Sequence, residues 1–201
     1  MVDLFQLVEG VDDSQTGALR ELRLNQEPAA IMAFTSDVDV ALLHYEIDEA
    51  VRGYVPCPGT GCPSCFLGSA PQRFGLLPVL NVESREVEVL RIPTRRSAGS
   101  LAAALLPLLK DSDISDKVVM ISRQGSRFTA RSQPLAENGD RCASAIEAFL
   151  AARKDGLKLV SAFPKLSAAE LAEVERVRRK LAAVGGYVAP KDDGIDPGSD
   201  D

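Results

Sequence analysis

The chain has 201 residues, 45% of them hydrophobic, no tryptophan and a formal net charge of −6. That is length and apolar content for one ordinary domain with appendages. No run is apolar and long enough to span a bilayer, and Met1-Val2-Asp3-Leu4-Phe5 has neither the basic start nor the cleavage pattern of an export signal, so a cytoplasmic protein is expected.

The charge is unevenly spread. Residues 1–50 carry two basic and eleven acidic side chains, residues 70–131 carry ten and six, and residues 191–201 carry one lysine and five aspartates. An acidic chain with a basic middle keeps a local field suited to phosphate, whatever its total charge.

In chain order, residues 1–28 form an acidic N-terminal segment, with Asp12 to Gly17 reading as a loop. From Ala29 to Ile47 the pattern is strand-like; Val38, Val40, Leu42 and His44 share one face if this stretch is extended, while Asp37 offers a cap for a competing helix. Residues 44–65 then hold His44, Cys57, Cys62 and Cys65: the chain's single histidine and three of its four cysteines, spaced His-x12-Cys-x4-Cys-x2-Cys. Cys3His is a standard set for tetrahedral zinc, and the two-residue gap of Cys62-Pro63-Ser64-Cys65 suits a tight knuckle whose sulfurs face one ion. Backbone N–H groups of the knuckle are expected at the sulfurs. Four protein ligands leave no coordination position for water, which favours a structural over a catalytic zinc. The alternatives are a reduced loop without metal, a disulfide that leaves one thiol over, and a histidine that merely sits in the core. Clustered cysteines without export favour metal in a reducing compartment.

After the knuckle, Phe74–Val82 and Glu86–Pro93 read as a hairpin, Ser97–Lys110 as a helix shortened or kinked by Pro107, and Lys117–Ser122 with Arg127–Arg131 as a second hairpin around Gly125. Asp140–Leu150 reads as a helix. Ser167-Ala-Ala-Glu170 is a capping box opening another to about Ala183, with Leu171, Val174, Val177 and Leu181 on one face and Gly185-Gly186 at its end. The tail, residues 190–201, has too little apolar content to pack. The order of elements suggests an α+β fold: an OB-fold-like β-barrel over 29–135 with an inserted zinc knuckle, a helical C-terminal region over 136–189, and the acidic tail.

Within the second hairpin, Arg123, Arg127 and Arg131 are expected on one face, with Arg91, Arg95 and Arg96 bordering the same groove; guanidinium groups suit phosphates and stack on bases. Tyr45, Tyr54, Phe66 and Phe74 surround the knuckle, and an exposed ring there stacks a base. Solvated arginines and buried rings are the ordinary alternative. No constellation points to an enzyme, since the one histidine is already taken and no carboxylate pair is tied to a site.

Taken together, the His44-x12-Cys57 spacing, the Cys62-x2-Cys65 knuckle, the hairpin–helix–hairpin order and the acidic tail resemble the zinc-containing single-stranded DNA-binding proteins of T-even bacteriophages and their phage relatives. The resemblance covers about residues 30–135 and the tail. It implies an OB-fold with a zinc subdomain that coats single-stranded DNA in replication and recombination. It also implies zinc ligation by His44, Cys57, Cys62 and Cys65, and contacts with replication or recombination proteins through the tail. The gap from Cys57 to Cys62 is shorter here than in the type member, and the N-terminal segment is acidic where that member has a basic arm. The rival expectation is a zinc-scaffolded protein-interaction module that contacts a transcription or replication partner and binds no DNA.

Overall fold

The structure, a computed structural model, describes residues 19–25, 27–35, 38–47, 51–95, 97–111, 113–134 and 140–190, and for Ile47, Arg52 and residues 140–142 the backbone alone. The tail beyond Pro190, Arg96 and the first eighteen residues, with the loop expected at Asp12 to Gly17, lie outside the described residues.

Among the described residues, eight strands and five α-helices follow in the order β1 (Arg20–Glu21), β2 (Ala29–Met32), β3 (Asp39–Ile47), β4 (Arg52–Pro56), α1 (Pro63–Phe66), β5 (Gln72–Asn81), β6 (Val87–Pro93), α2 (Leu101–Leu109), β7 (Lys117–Gln124), β8 (Arg127–Pro134), α3 (Asp140–Lys154), α4 (Ala168–Glu173) and α5 (Glu175–Val184). The class is therefore α+β. The stretch after Asp37 is a strand and not the competing helix. Its alternation is the reason: Ala41 and Leu43 are buried while Val40 and Leu42 stay exposed, a period of two.

β5 organises the sheet. One edge pairs with β6 from Phe74 to Leu80; the other pairs with β3 over Gln72–Leu76 and with β2 at Leu80–Asn81. The sheet forks where residues 33–38 separate β2 from β3: β2 continues to β7 and β8, and β3 continues to β4. All of these pairings are antiparallel, and β1 adds to the far edge of β6 in parallel. β5 is sandwiched, with Leu76, Leu77, Val79 and Leu80 all fully buried, so its sequence reads as an unbroken apolar run with no alternation.

The expected barrel does not close: among the described residues β8 pairs only with β7, and the sheet is open between β8 and β6. Helix α2 bridges that opening, presenting Leu101, Ala102 and Leu105 to Ile31, Leu77, Leu90, Val119 and Ile121. Ser100 caps it, its Oγ accepting from the Ala103 N–H, and the helix ends two residues after Pro107. The opposite face of the sheet, with Ala41, Leu43, Phe74, Leu76 and Val89, lies under Phe149 of α3 and under Leu159 and Phe163 just beyond it. Arg153 of α3 clamps this layer to the start of β3 through a two-pronged contact with Asp39, at 2.9 and 3.1 Å.

At the C-terminal end the expected capping box is present, Ser167 and Glu170 each bonding the other's backbone N–H. The single helix expected from Ser167 is two, broken at Val174, whose ψ of 120° is extended. The break brings Val174 and Val177, together with Leu171, onto the cysteine loop.

Leu105 is the deepest residue of α2. Its replacement by alanine should lower unfolding stability by about 3 kcal/mol, the usual cost of an unfilled leucine cavity, read as a shift of the urea midpoint with an unchanged slope.

Candidate metal centre and flanking groove

The ligand residues come from two structural contexts. His44 is on β3, opposite Val55 of β4, and points to the face where β3 and β4 carry the cysteine loop. The loop leaves β4 after Pro56. It is pinned at its start by the Cys57 N–H to the Leu42 carbonyl, and it tightens where the Cys62 N–H reaches the Gly59 carbonyl. Gly61 has φ +73°, and a Cβ there would lie 2.7 Å from Pro190, so both backbone shape and packing require glycine. Pro63 then starts α1, which holds Ser64 and Cys65 one turn from Cys62.

These elements bring all four residues together. His44 Nε2 lies 3.3 Å from Cys62 Sγ and 3.5 Å from Cys65 Sγ, and Cys57 Sγ lies 3.8 Å from Cys65 Sγ. All four ligand atoms are within 4.8 Å of one another, a set that can hold a metal ion. A tetrahedral ion with ordinary Zn–S and Zn–N bonds needs S–S edges of about 3.8 Å and S–N edges of about 3.5 Å. The three edges given above are close to that size, and the three cysteines are free thiols, not disulfides. The side chain of Cys142, expected to lie apart from this set, is outside the described residues.

The electrostatics also suit a cation. Burial lowers the His44 pKa, with Glu46 opposing, so the ring is neutral and its Nε2 lone pair is available near neutral pH. Burial raises the Cys62 thiol, the Cys65 backbone N–H on its sulfur opposing in part. That N–H is one of the donors expected at the knuckle. Cys65 is pushed up to about 12 by burial and by the neighbouring sulfurs. Three thiols in one place resist ionising together, and a divalent cation supplies the missing positive charge.

Two supporting residues were not singled out from the sequence. Glu46, 6% exposed, accepts a 2.8 Å hydrogen bond from Ser64 Oγ and so ties α1 to β3 beside the ligands. The available signal was its position two residues after His44, on the same strand face. Buried His44 Nδ1 has no partner among the described residues. From outside, Tyr187 Oη donates to the Gly61 carbonyl at 2.8 Å and its ring packs on Phe66, while Leu171, Val174 and Val177 cover Val55 and Cys62.

Beside the metal centre is a groove of about 630 Å³, lined by Tyr45, Tyr54, Arg91, Arg123 and Phe128 and by the segment Glu21–Leu24. Arg91 lies flat against Tyr54, its Cζ 3.6 Å from the ring centroid, and 4.7 Å from the centroid of Phe74. Tyr45 packs against Tyr54 with ring centroids 4.9 Å apart and planes tilted by 52°, and is half exposed. Phe74, expected to offer a ring to a base, is 2% exposed and supports Tyr54 and Arg91 from beneath.

Arg95, Arg127 and Arg131 are exposed, and Arg127 and Arg131 share the outward face of β8 with Thr129. Arg123, also exposed, does not share that face. The two-residue turn Gly125-Ser126 pairs Gln124 with Arg127 and Arg123 with Phe128, so Arg123 takes the inward face of Phe128 and lies 5.5 Å from that ring. Cross-strand partners share a face, so equal numbering parity across a two-residue turn means opposite faces.

No known family, characterised protein or solved structure matches the chain. Among the described residues, no helix is long and apolar enough to cross a membrane.

Protein purified without chelator should carry one divalent ion per chain by elemental analysis. Cys62→Ser should lose it and Cys142→Ser should keep it. Reloading the metal-free protein should release about three protons. Because the Cys62 and Cys65 thiols sit above their ordinary pKa, protons compete for them more strongly, so retention should weaken as pH falls; a pH series of metal titrations checks the sign.

Proposed function

We propose that this is a non-catalytic, zinc-stabilised protein that binds single-stranded DNA without sequence preference, in DNA replication, recombination or repair of the bacteriophage type. The observation that carries the reading is the cluster of Tyr45, Tyr54 and Arg91 at the mouth of the groove. The half-exposed Tyr45 ring accepts a base of any identity, and the exposed Arg127 and Arg131 follow the phosphates.

Strand order supports the same reading. The split strand β2–β3, then β5, β6, α2, β7 and β8 follow the OB order, with the helix between the third and fourth strands and the first strand paired to both second and fourth. OB-folds bind oligonucleotides across the second and third strands, between the loops joining strands 1–2 and 4–5. The corresponding places here are β5–β6, the cysteine-loop insertion and the Gly125-Ser126 turn. The tyrosine–arginine stack and Arg123 lie among them. Zinc is the preferred ion because three thiolates and one imidazole at tetrahedral spacing match its ligand chemistry. The acidic tail is read as a competitor for the basic groove and a docking site for replication partners.

A second reading has its own observation. Val38, Val40 and Leu42 are 40, 56 and 51% exposed along one face of β3 beside the cysteine loop, a row suited to docking a protein partner.

A salt-dependent titration with labelled oligothymidylate separates the two. Tyr45→Ala should weaken binding by about 1–3 kcal/mol if the ring stacks a base. Arg127→Glu and Arg131→Glu should weaken it and reduce the log–log salt slope by about one unit for each phosphate no longer engaged. Indifference to all three substitutions supports the protein-docking reading. Removing residues 190–201 should tighten binding most at low salt, where screening is weakest; equal affinities would reduce the tail to a solubilising terminus.

A further inference from the structure

We infer that the segment Leu19–Leu24 is a built-in competitor for the groove, with the Glu21 carboxylate standing where a nucleic-acid phosphate binds Arg91. The inference rests on the DNA-binding reading and names how that same site is regulated.

Glu21 Oε1 accepts a 2.8 Å hydrogen bond from Arg91 Nε, and the two side chains are 16 and 21% exposed. Arg91 therefore lies against the Tyr54 and Phe74 rings and gives its Nε to a carboxylate oxygen, a contact a phosphodiester oxygen could make instead. The segment is held in the opening between β6 and the β7–β8 turn. Arg20 and Glu21 pair in parallel with Glu88 and Val89, the Leu22 N–H donates to the Val89 carbonyl at 2.9 Å, and Arg123 Nη1 reaches the Leu24 carbonyl at 3.4 Å. Leu22 reaches the inner core, 8% exposed, and Glu21 to Leu24 form one wall of the groove.

Two features make this a latch that can be displaced. It is a two-residue strand on a sheet edge, held by Leu19, Leu22 and Leu24 and by its pairing with β6, and short edge elements open at lower cost than central strands. The chain before it, residues 1–18, has four acidic and no basic side chains, so its charge is of the sign that a polyanion repels. A ligand phosphate that takes Arg91 from Glu21 removes one polar tie of β1, and opening of the β6 edge would lengthen the path for the strand.

The test uses full-length protein, labelled oligothymidylate and hydrogen exchange. Glu21→Gln should tighten binding about three- to tenfold, the scale for removing one half-buried ion pair. Glu27→Gln, which removes the same charge from an exposed position, should change it less than twofold. In the unaltered protein the Leu22 amide should be protected in the absence of DNA and lose protection when oligothymidylate binds. If the chain binds oligothymidylate but Glu21→Gln does not exceed Glu27→Gln and Leu22 stays protected, the latch is overturned and the DNA-binding reading stands. If Glu21→Gln does not fold, loss or retention of Leu22 protection in the unaltered protein decides alone. Absence of binding by every form overturns both.

Discussion

The arrangement around the cysteine loop depends on one imidazole facing inward from β3. His44 is fully enclosed and points at two sulfurs contributed by a loop eighteen and more residues away. Without a cation the site is unfavourable in each of its parts. The ring is desolvated, and the Cys62 and Cys65 thiols are pushed upward. A divalent ion among the four ligand atoms would offset those costs with coordination bonds and couple its binding to folding.

The consequences extend beyond the four ligands. The loop has little apolar content of its own, so its shape comes from the ligand set, the Glu46–Ser64 bond and the covering helices α4 and α5. Those helices are short, six and ten residues, and below the length at which isolated helices persist in water. They are held by Leu171, Val174 and Val177 resting on Val55 and Cys62. Loop and helices are therefore mutually dependent, and the hydroxyl of Tyr187 on Gly61 fastens the far side.

The groove follows from the same geometry. β3 and β4 carry the ligand face on one side and Tyr45 and Tyr54 on the other, because successive side chains of a strand alternate. The hairpin that places the metal thus also places the aromatic pair. Phe74 and Arg91 meet it from β5 and β6, and the open edge of β6 leaves room for β1. Metal centre and groove share a scaffold without sharing residues.

Local chemistry was readable from the chain. Cysteine spacing announced the His44, Cys57, Cys62 and Cys65 cluster, the strand-like pattern to Ile47 was legible beside a competing helix, Ser167 and Glu170 announced their capping box, and of the apolar face expected after it Leu171, Val174 and Val177 are buried and Leu181 partly so. Such features act within a few residues, so composition and spacing determine them. Residue relations across elements were not readable. That Arg123 faces inward depended on the length of one turn; that Phe74 is covered depended on what stacks above it. The splitting of one helix at Val174 depended on the surface it had to follow. The Glu21–Arg91 pair joins residues seventy positions apart, and the opening between β6 and β8 follows from which strand edges find partners. Periodicity states which residues share a face of one element; only register and packing state what that face meets.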